Sequence, residues 1–221
     1  MAQQLGLNLP VRTALGREDF YVAPSNAVAL AMVDAEWPQG KLTLSGPKGA
    51  GKTHLAHVWA LDAGARILQA ADLPDLDLQE LARRPLAVED VPRIASDGAA
   101  QDALFHLHNM MLQAGIPLLM TGTPAPNLWG LSLADLQSRV DAAGNAALEP
   151  PDDDLLSVVM WKLFADRQLR PRDDVIPYLV KRMERSFASA GALVDALDTQ
   201  SLAERREITR AFASGVLDNL A

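Results

Sequence analysis

The sequence predicts an α/β core followed by an all-helical C-terminal unit. Three observations lead there. Short apolar runs alternate with longer amphipathic stretches between residues 41 and 148. A glycine-rich loop of phosphate-binding type joins the first run to the stretch after it. Beyond Glu149-Pro150-Pro151 only helical periodicity remains. Strand–helix alternation of this kind makes a mostly parallel sheet covered on both faces. With 49% hydrophobic and 22% charged side chains in 221 residues, the chain has the composition of a globular core.

The first dozen residues contain no acid and alternate Leu5, Leu7 and Leu9 with polar or small residues. Period two implies an extended segment with one leucine face. From Pro24 to about Glu36 the pattern is helical, with Ser25 and Asn26 near its start and Trp37-Pro38 closing it. Strands are expected at 41–45, 66–70, 86–89, 116–121 and 146–148, with helices between them at 52–62, 78–83, 98–114 and 134–140. Four more helices are expected at 152–168, 172–184, 188–197 and 204–220. Asp152, Asp153 and Asp154 open the first of these and complement its dipole. Neither Pro150 nor Pro151 can continue a helix or a central strand, so the boundary is drawn there. The expected organisation is an extended segment 1–12, a core 13–150 and a helical unit 151–221.

Several chemistries are excluded at once. There are no cysteines, hence no disulfide, thiolate metal site or cysteine nucleophile, and the four histidines form no HExxH pattern. Twenty basic against 28 acidic residues give a net charge of −8, which argues against a surface broadly suited to nucleic acid. No apolar run approaches the ~20 residues of a membrane span, and the N-terminus lacks signal-peptide architecture. A cytoplasmic protein is expected.

The strongest motif is Gly46-Pro47-Lys48-Gly49-Ala50-Gly51-Lys52-Thr53, a GxxxxGK[ST] loop between a strand and a helix. Glycines let the backbone fold round a phosphate, and amides at the helix start attract negative charge. Lys52 supplies a point charge for the terminal phosphates, and the Thr53 hydroxyl suits Mg²⁺. Such a site needs acids at a neighbouring strand end, and the run 86–89 provides Glu89 followed by Asp90. The usual order places an Asp first, toward the metal, and a longer acid next to activate water. Here the two are exchanged, which favours binding over fast hydrolysis. Thr121-Gly122-Thr123 ends another expected strand, where a polar side chain such as Thr123 can meet a γ-phosphate or the attacking water; an ordinary turn is the alternative. Arg139 lies at a helix end, placed to reach a nucleotide in a neighbouring subunit, or else simply solvated.

In order and spacing, Phe20-Tyr21-Val22-Ala23-Pro24-Ser25-Asn26, the phosphate loop, Glu89-Asp90, Thr121-Gly122-Thr123-Pro124, Gln137-Ser138-Arg139 and Glu149-Pro150-Pro151 resemble the AAA+ module of the bacterial replication initiator DnaA. Glu207-Ile208-Thr209, Phe212 and Val216-Leu217 resemble the end of its helical lid. Gln4-Leu5-Gly6-Leu7-Asn8-Leu9 resembles the QLxLPL sliding-clamp peptide of Hda-like proteins, DnaA-related inactivators of the initiator, with Asn8 in place of the usual proline. A lone DnaA-like module, without the initiator's helix-turn-helix and N-terminal domains, is therefore expected.

The resemblance implies a P-loop AAA+ three-layer sandwich with a five-stranded parallel sheet and a helical lid. It implies ADP or ATP with Mg²⁺ as cofactors. Val22 and Asn26 would face the adenine, Pro47 to Thr53 and His54 would line the phosphates, and Thr53 and Glu89 would meet the metal. Asp90 and Thr123 would be the catalytic groups on the nucleotide side, and Arg139 the trans-acting arginine that promotes hydrolysis of DnaA-bound ATP. Gln4, Leu5, Leu7 and Leu9 would hold the β sliding clamp of DNA polymerase III. DnaA is the implied partner, with a homo-oligomer left open and no sequence-specific DNA contact. The lid arginine of DnaA-like modules aligns with Ala188, so weak or absent intrinsic ATPase is expected. The competing readings are a self-contained ATPase or helicase loader of the same superfamily, and a small-molecule kinase.

Overall fold

The computed structural model of the protein describes residues 17 and 20–220. Helix α1 (Pro24–Asp34) opens with proline in its first turn, and the Asn26 carboxamide reaches back to accept from Ala23 N–H at 2.9 Å. That bond satisfies a donor the helix itself cannot. Next come β1 (Lys41–Ser45), α2 (Lys52–Ala63), β2 (Arg66–Gln69), α3 (Leu78–Leu81) and β3 (Leu86–Glu89). They are followed by α4 (Gly98–Gln113), β4 (Leu118–Gly122), α5 (Ala134–Ala142) and β5 (Gly144–Ala147).

The five strands form one sheet in the order β2-β3-β4-β1-β5, every pairing parallel. Alternation along the strands builds two faces. Leu86, Val88, Leu118 and Met120 pack on one side against Leu104, Leu107 and Met111 of α4 and Leu136 and Val140 of α5. Leu42, Leu44, Ala87, Leu119 and Ala146 pack on the other against α1 and α2, including Ala29, Val33, Leu55 and Trp59. The three-layer architecture follows from that division. Thr43 and Ser45 are buried on β1, but their hydroxyls reach the Gly144 carbonyl and Asn145 Oδ1 of β5 at 3.0 and 2.9 Å.

Two strands are displaced from their sequence expectations. The run 116–121 pairs only from Leu118, extending to Gly122. Pro117 has no N–H for the ladder, and its carbonyl instead accepts from Leu86 N–H at 3.2 Å. The run 146–148 shifts to Gly144–Ala147, because Leu42 faces Gly144 and the register then runs to Ala147 opposite Ser45.

The C-terminal unit consists of α6 (Asp153–Asp166), α7 (Val175–Val180), α8 (Phe187–Glu204) and α9 (Arg210–Asp218). Leu156, Met160, Phe164, Ile176, Leu179, Leu193, Leu197, Phe212 and Val216 make its separate core. Asp152 caps α6 by accepting from Leu155 N–H at 2.8 Å. α7 is shorter than the expected 172–184, since Arg172 precedes it and pairs with Glu207, while the chain leaves the helix after Val180 to reach Ser186. Glu204, expected to begin the last helix, instead ends α8; Arg205 stops that helix in the left-handed region at φ 50°, and Thr209 caps α9. Among the described residues no helix is long and apolar enough to cross a membrane.

Candidate functional site

β1 ends at Ser45 and α2 begins at Lys52, so the loop between them wraps the front end of the central strand. Gly46, Gly49 and Gly51 have φ of 146°, 79° and 98°. Gly49 shows why a side chain is excluded. A Cβ there would lie 2.5 Å from Ser186 Cβ, on a backbone that L-residues rarely adopt. Lys52 is buried, and its ammonium donates to the Gly46 and Pro47 carbonyls at 2.7 and 2.9 Å. Burial pushes its pKa down, and the nearby Asp90 and Glu89 carboxylates oppose that shift. The lysine charge is thus held inside the loop, close to the acids of β3. Thr53, next along α2, is exposed.

Glu89 is buried at the end of β3. Its Oε2 accepts from Gln69 Nε2 at 3.3 Å, while Oε1 is buried without a hydrogen-bond partner among the described residues. Gln69 and Glu89 are opposite one another in the β2–β3 register. Asp90 adopts the left-handed region at φ 56°, and its N–H donates to Thr121 Oγ1 at 3.1 Å. Its half-exposed carboxylate lies 3.8 Å from Arg93. Thr121 on β4 thus anchors the Asp90 backbone. Thr123 lies past the strand end, exposed and without a hydrogen bond among the described residues. Gly122 between them is a matter of space. Trp129, buried and donating from Nε1 to the Pro124 carbonyl at 2.9 Å, puts its ring within 2.5 Å of where a Cβ would be.

The start of α8 closes over the loop. Phe187 N–H donates to the Gly49 carbonyl at 3.0 Å, the Phe187 ring faces Gly51, and Ser186 covers Gly49. Ser186 also caps α8 by accepting from Ser189 N–H at 3.0 Å. Ala188 is exposed in that first turn. Arg185 turns the other way, to Asp153 at the start of α6, at 2.6 Å. It does not substitute for a cation at position 188.

Asn26 is buried and locked between Ala23 N–H and the Tyr21 carbonyl, whereas Val22 is exposed. His54 stacks edge-on with Phe20, ring centroids 5.3 Å apart. Arg139 lies in the last turn of α5, exposed, with no hydrogen bond or ion pair among the described residues. It shares a cavity with Pro38 and Lys41, at the start of β1, so it stands at the opposite end of that strand from the phosphate loop. Gln4, Leu5, Leu7 and Leu9 lie outside the described residues.

Sequence reading missed Gln69, Thr121 in its anchoring role, and the Ser186-Phe187 contact. Gln69 was recoverable as a polar residue closing the strand beside β3. The lid contact joins residues too far apart in sequence for any local pattern to reveal it.

The donor set fits a nucleotide with its divalent ion. Glu89 Oε1 is an unmatched buried oxygen beside the loop, and the Thr53 hydroxyl makes no bond of its own among the described residues. Among the described residues no group of three His, Asp or Glu side chains could hold a metal.

Comparison with known proteins bears on the same elements. The family model for the Hda lid domain matches residues 160–217, which span most of α6 to α9. Domain III of the Thermotoga maritima replication initiation protein DnaA superposes with a TM-score of 0.79 at 18% identity, covering 96% of this chain and 98% of that one. AMPPCP-bound DnaA from Aquifex aeolicus gives 0.68 at 18% identity, over 85% and 68% of the two chains. The Thermotoga maritima RuvB Holliday junction branch migration motor gives 0.62 at 18%, over 81% and 61%. At these identities the structural likeness is one of fold. The C-terminal unit thus matches the Hda lid-domain model, and the whole chain has the fold of DnaA domain III.

Proposed function

We propose that the protein is a nucleotide-holding regulator that promotes hydrolysis of ATP bound to DnaA while tethered to the sliding clamp, and so represses re-initiation of chromosome replication. The observation that carries this reading is the position of Arg139. A guanidinium unpaired among the described residues, at the far end of β1, is remote from its own phosphate loop and free to enter a neighbour's. A trans arginine acts by stabilising charge on the transferring phosphoryl group, an effect worth ~10³–10⁵ in rate in other P-loop systems.

On the chain's own nucleotide, the loop amides between Gly46 and Thr53 hold a diphosphate, and Lys52 turns from its loop carbonyls toward the added charge. Thr53 and Glu89 Oε1 receive Mg²⁺, which, when bound, screens the phosphate charge. Val22 and Asn26 form part of the adenine wall. The resting nucleotide is ADP. Three features support this: the shortened Asp90 side chain is half-exposed beside Arg93, Thr123 makes no bond among the described residues, and position 188 carries no cation. Without a lid charge near the γ-position, ATP gains little over ADP. Gln4, Leu5, Leu7 and Leu9 supply the clamp-binding side chains.

Arg139→Ala is the decisive variant. Nucleotide and clamp binding are expected to persist while stimulation of DnaA's ATP hydrolysis disappears; full stimulation would assign the trans arginine to another residue. Leu7→Ala with Leu9→Ala should abolish clamp pulldown and leave nucleotide binding intact. Brisk ATP turnover by the isolated chain would favour a self-contained ATPase instead.

A further inference from the structure

A second polar cavity, of about 340 Å³, opens at the other end of the sheet from the phosphate loop. Its size falls within the ~300–1,000 Å³ typical of small-ligand pockets. Lys41 of β1, His108 of α4 and Arg139 of α5 converge on it, with Asp135, Ser138 and Phe105 around them. Lys41 is the first residue of a strand that runs to Ser45 before the phosphate loop begins. At about 3.3 Å per residue, that separation puts the two sites more than one anion's reach apart.

The donors outnumber the acceptors. Lys41 is 2% exposed, and its ammonium gives two hydrogen bonds, to the Gln39 and Ile116 carbonyls at 3.2 and 3.0 Å. An ammonium carries three donors, so one remains. His108 is 1% exposed, and its Nδ1 has no hydrogen-bond partner. Buried polar atoms are nearly always matched, so this nitrogen, unmatched among the described residues on a side chain that lines the cavity, still has a bond to give. Arg139 brings five further donors and no bond among the described residues. Against these stands one carboxylate, Asp135, which forms no ion pair with Arg139 although one helical turn separates them. In a chain of net charge −8, a cavity holding two cations and one acid is a local inversion.

We propose that this cavity binds a single small oxyanion, a phosphoryl or carboxylate group, held between Lys41, His108 and the Arg139 guanidinium. A planar guanidinium with an ammonium behind it matches the oxygens of either group, and charge-assisted bonds of this kind are roughly twice as strong as neutral ones. Asp135 at the same cavity disfavours a polyphosphate. The site stands independently of the trans role assigned to Arg139, and where both hold, occupancy draws the guanidinium toward its own subunit.

The test is an NMR titration of the whole chain with inorganic phosphate and, separately, acetate, read at the His108 imidazole. A saturating His108 shift with phosphate identifies a phosphoryl site, and one with acetate a carboxylate site. Either response should weaken at least tenfold in Arg139→Ala, a surface change, and in Lys41→Met. It should survive Lys52→Ala, which disables the phosphate loop. Silence at His108 with both anions overturns the proposal. So does a response that persists in Arg139→Ala but vanishes in Lys52→Ala. The hydrolysis-stimulation assay is not involved, so failure here leaves the trans-arginine reading standing.

Discussion

Gly49→Ala strikes the one point where loop and lid share backbone. The residue sits at φ 79°, which costs an L-residue roughly 1–2 kcal/mol. The new methyl would overlap Ser186 Cβ at 2.5 Å, and relief requires the lid to retreat, stretching the 3.0 Å bond from Phe187 N–H to the Gly49 carbonyl. A lost hydrogen bond adds ~0.5–1.5 kcal/mol. The total, about 1.5–3.5 kcal/mol, corresponds to a Tm drop of about 3–14 °C for a chain of this size. Calorimetry measures it, and ADP titration should show weaker binding as the loop deforms. Gly191→Ala in α8 is the matched control. A Cβ there meets nothing within 4 Å, so removing a helical glycine should stabilise by ~0.5–1 kcal/mol. If the two variants melt alike, or Gly49→Ala binds ADP as the parent does, the account of the loop–lid contact is wrong.

Thr121→Val removes the oxygen that receives Asp90 N–H and should cost about 1–3 kcal/mol in urea unfolding; a change below ~0.5 kcal/mol would show that Asp90's left-handed backbone needs no anchor. Gly122→Ala meets a Trp129 ring that is buried and hydrogen-bonded, so destabilisation with altered Trp fluorescence is expected. Arg185→Ala breaks only a half-exposed ion pair with Asp153 and should change stability by less than about 1 kcal/mol, with ADP affinity untouched. The His108 imidazole, its pKa lowered to about 4 by burial and then by Lys41 and Arg139, should remain neutral in an NMR pH titration down to about pH 4. Because the unfolded chain takes up this proton first, His108 contributes a loss of stability as pH falls from about 6.5 toward 4. Lys41, lowered by burial to about 8, contributes a gain as pH rises from about 8 toward 10.5, where the unfolded lysine is still protonated.

Local chemistry made much of this protein legible before its fold was known. The loop from Gly46 to Thr53, the strand 86–89 and the start of α2 emerged where expected, because glycine placement and apolar runs are local signals. β4 slid toward Gly122 since the ladder can only begin after Pro117, and register is set by neighbours rather than by hydropathy. α8 grew and α9 shrank for a related reason. The break expected between 197 and 204 is helical, and the stop falls at Arg205, a backbone conformation that composition does not encode. The partners of the acids, Gln69 and Thr121, come from adjacent strands and appear only once β2, β3 and β4 are side by side. Arg139 was singled out by its motif, yet its distance from the phosphate loop, the fact that makes a trans role sensible, belongs to topology.

Everything functional depends on the loop between β1 and α2 cradling a diphosphate. Isothermal titration of the purified chain with ADP and Mg²⁺, after stripping bound nucleotide, asks this directly. Saturable one-to-one binding, lost in Lys52→Ala, is the expected result. A flat titration of the parent protein, with and without Mg²⁺, would contradict it.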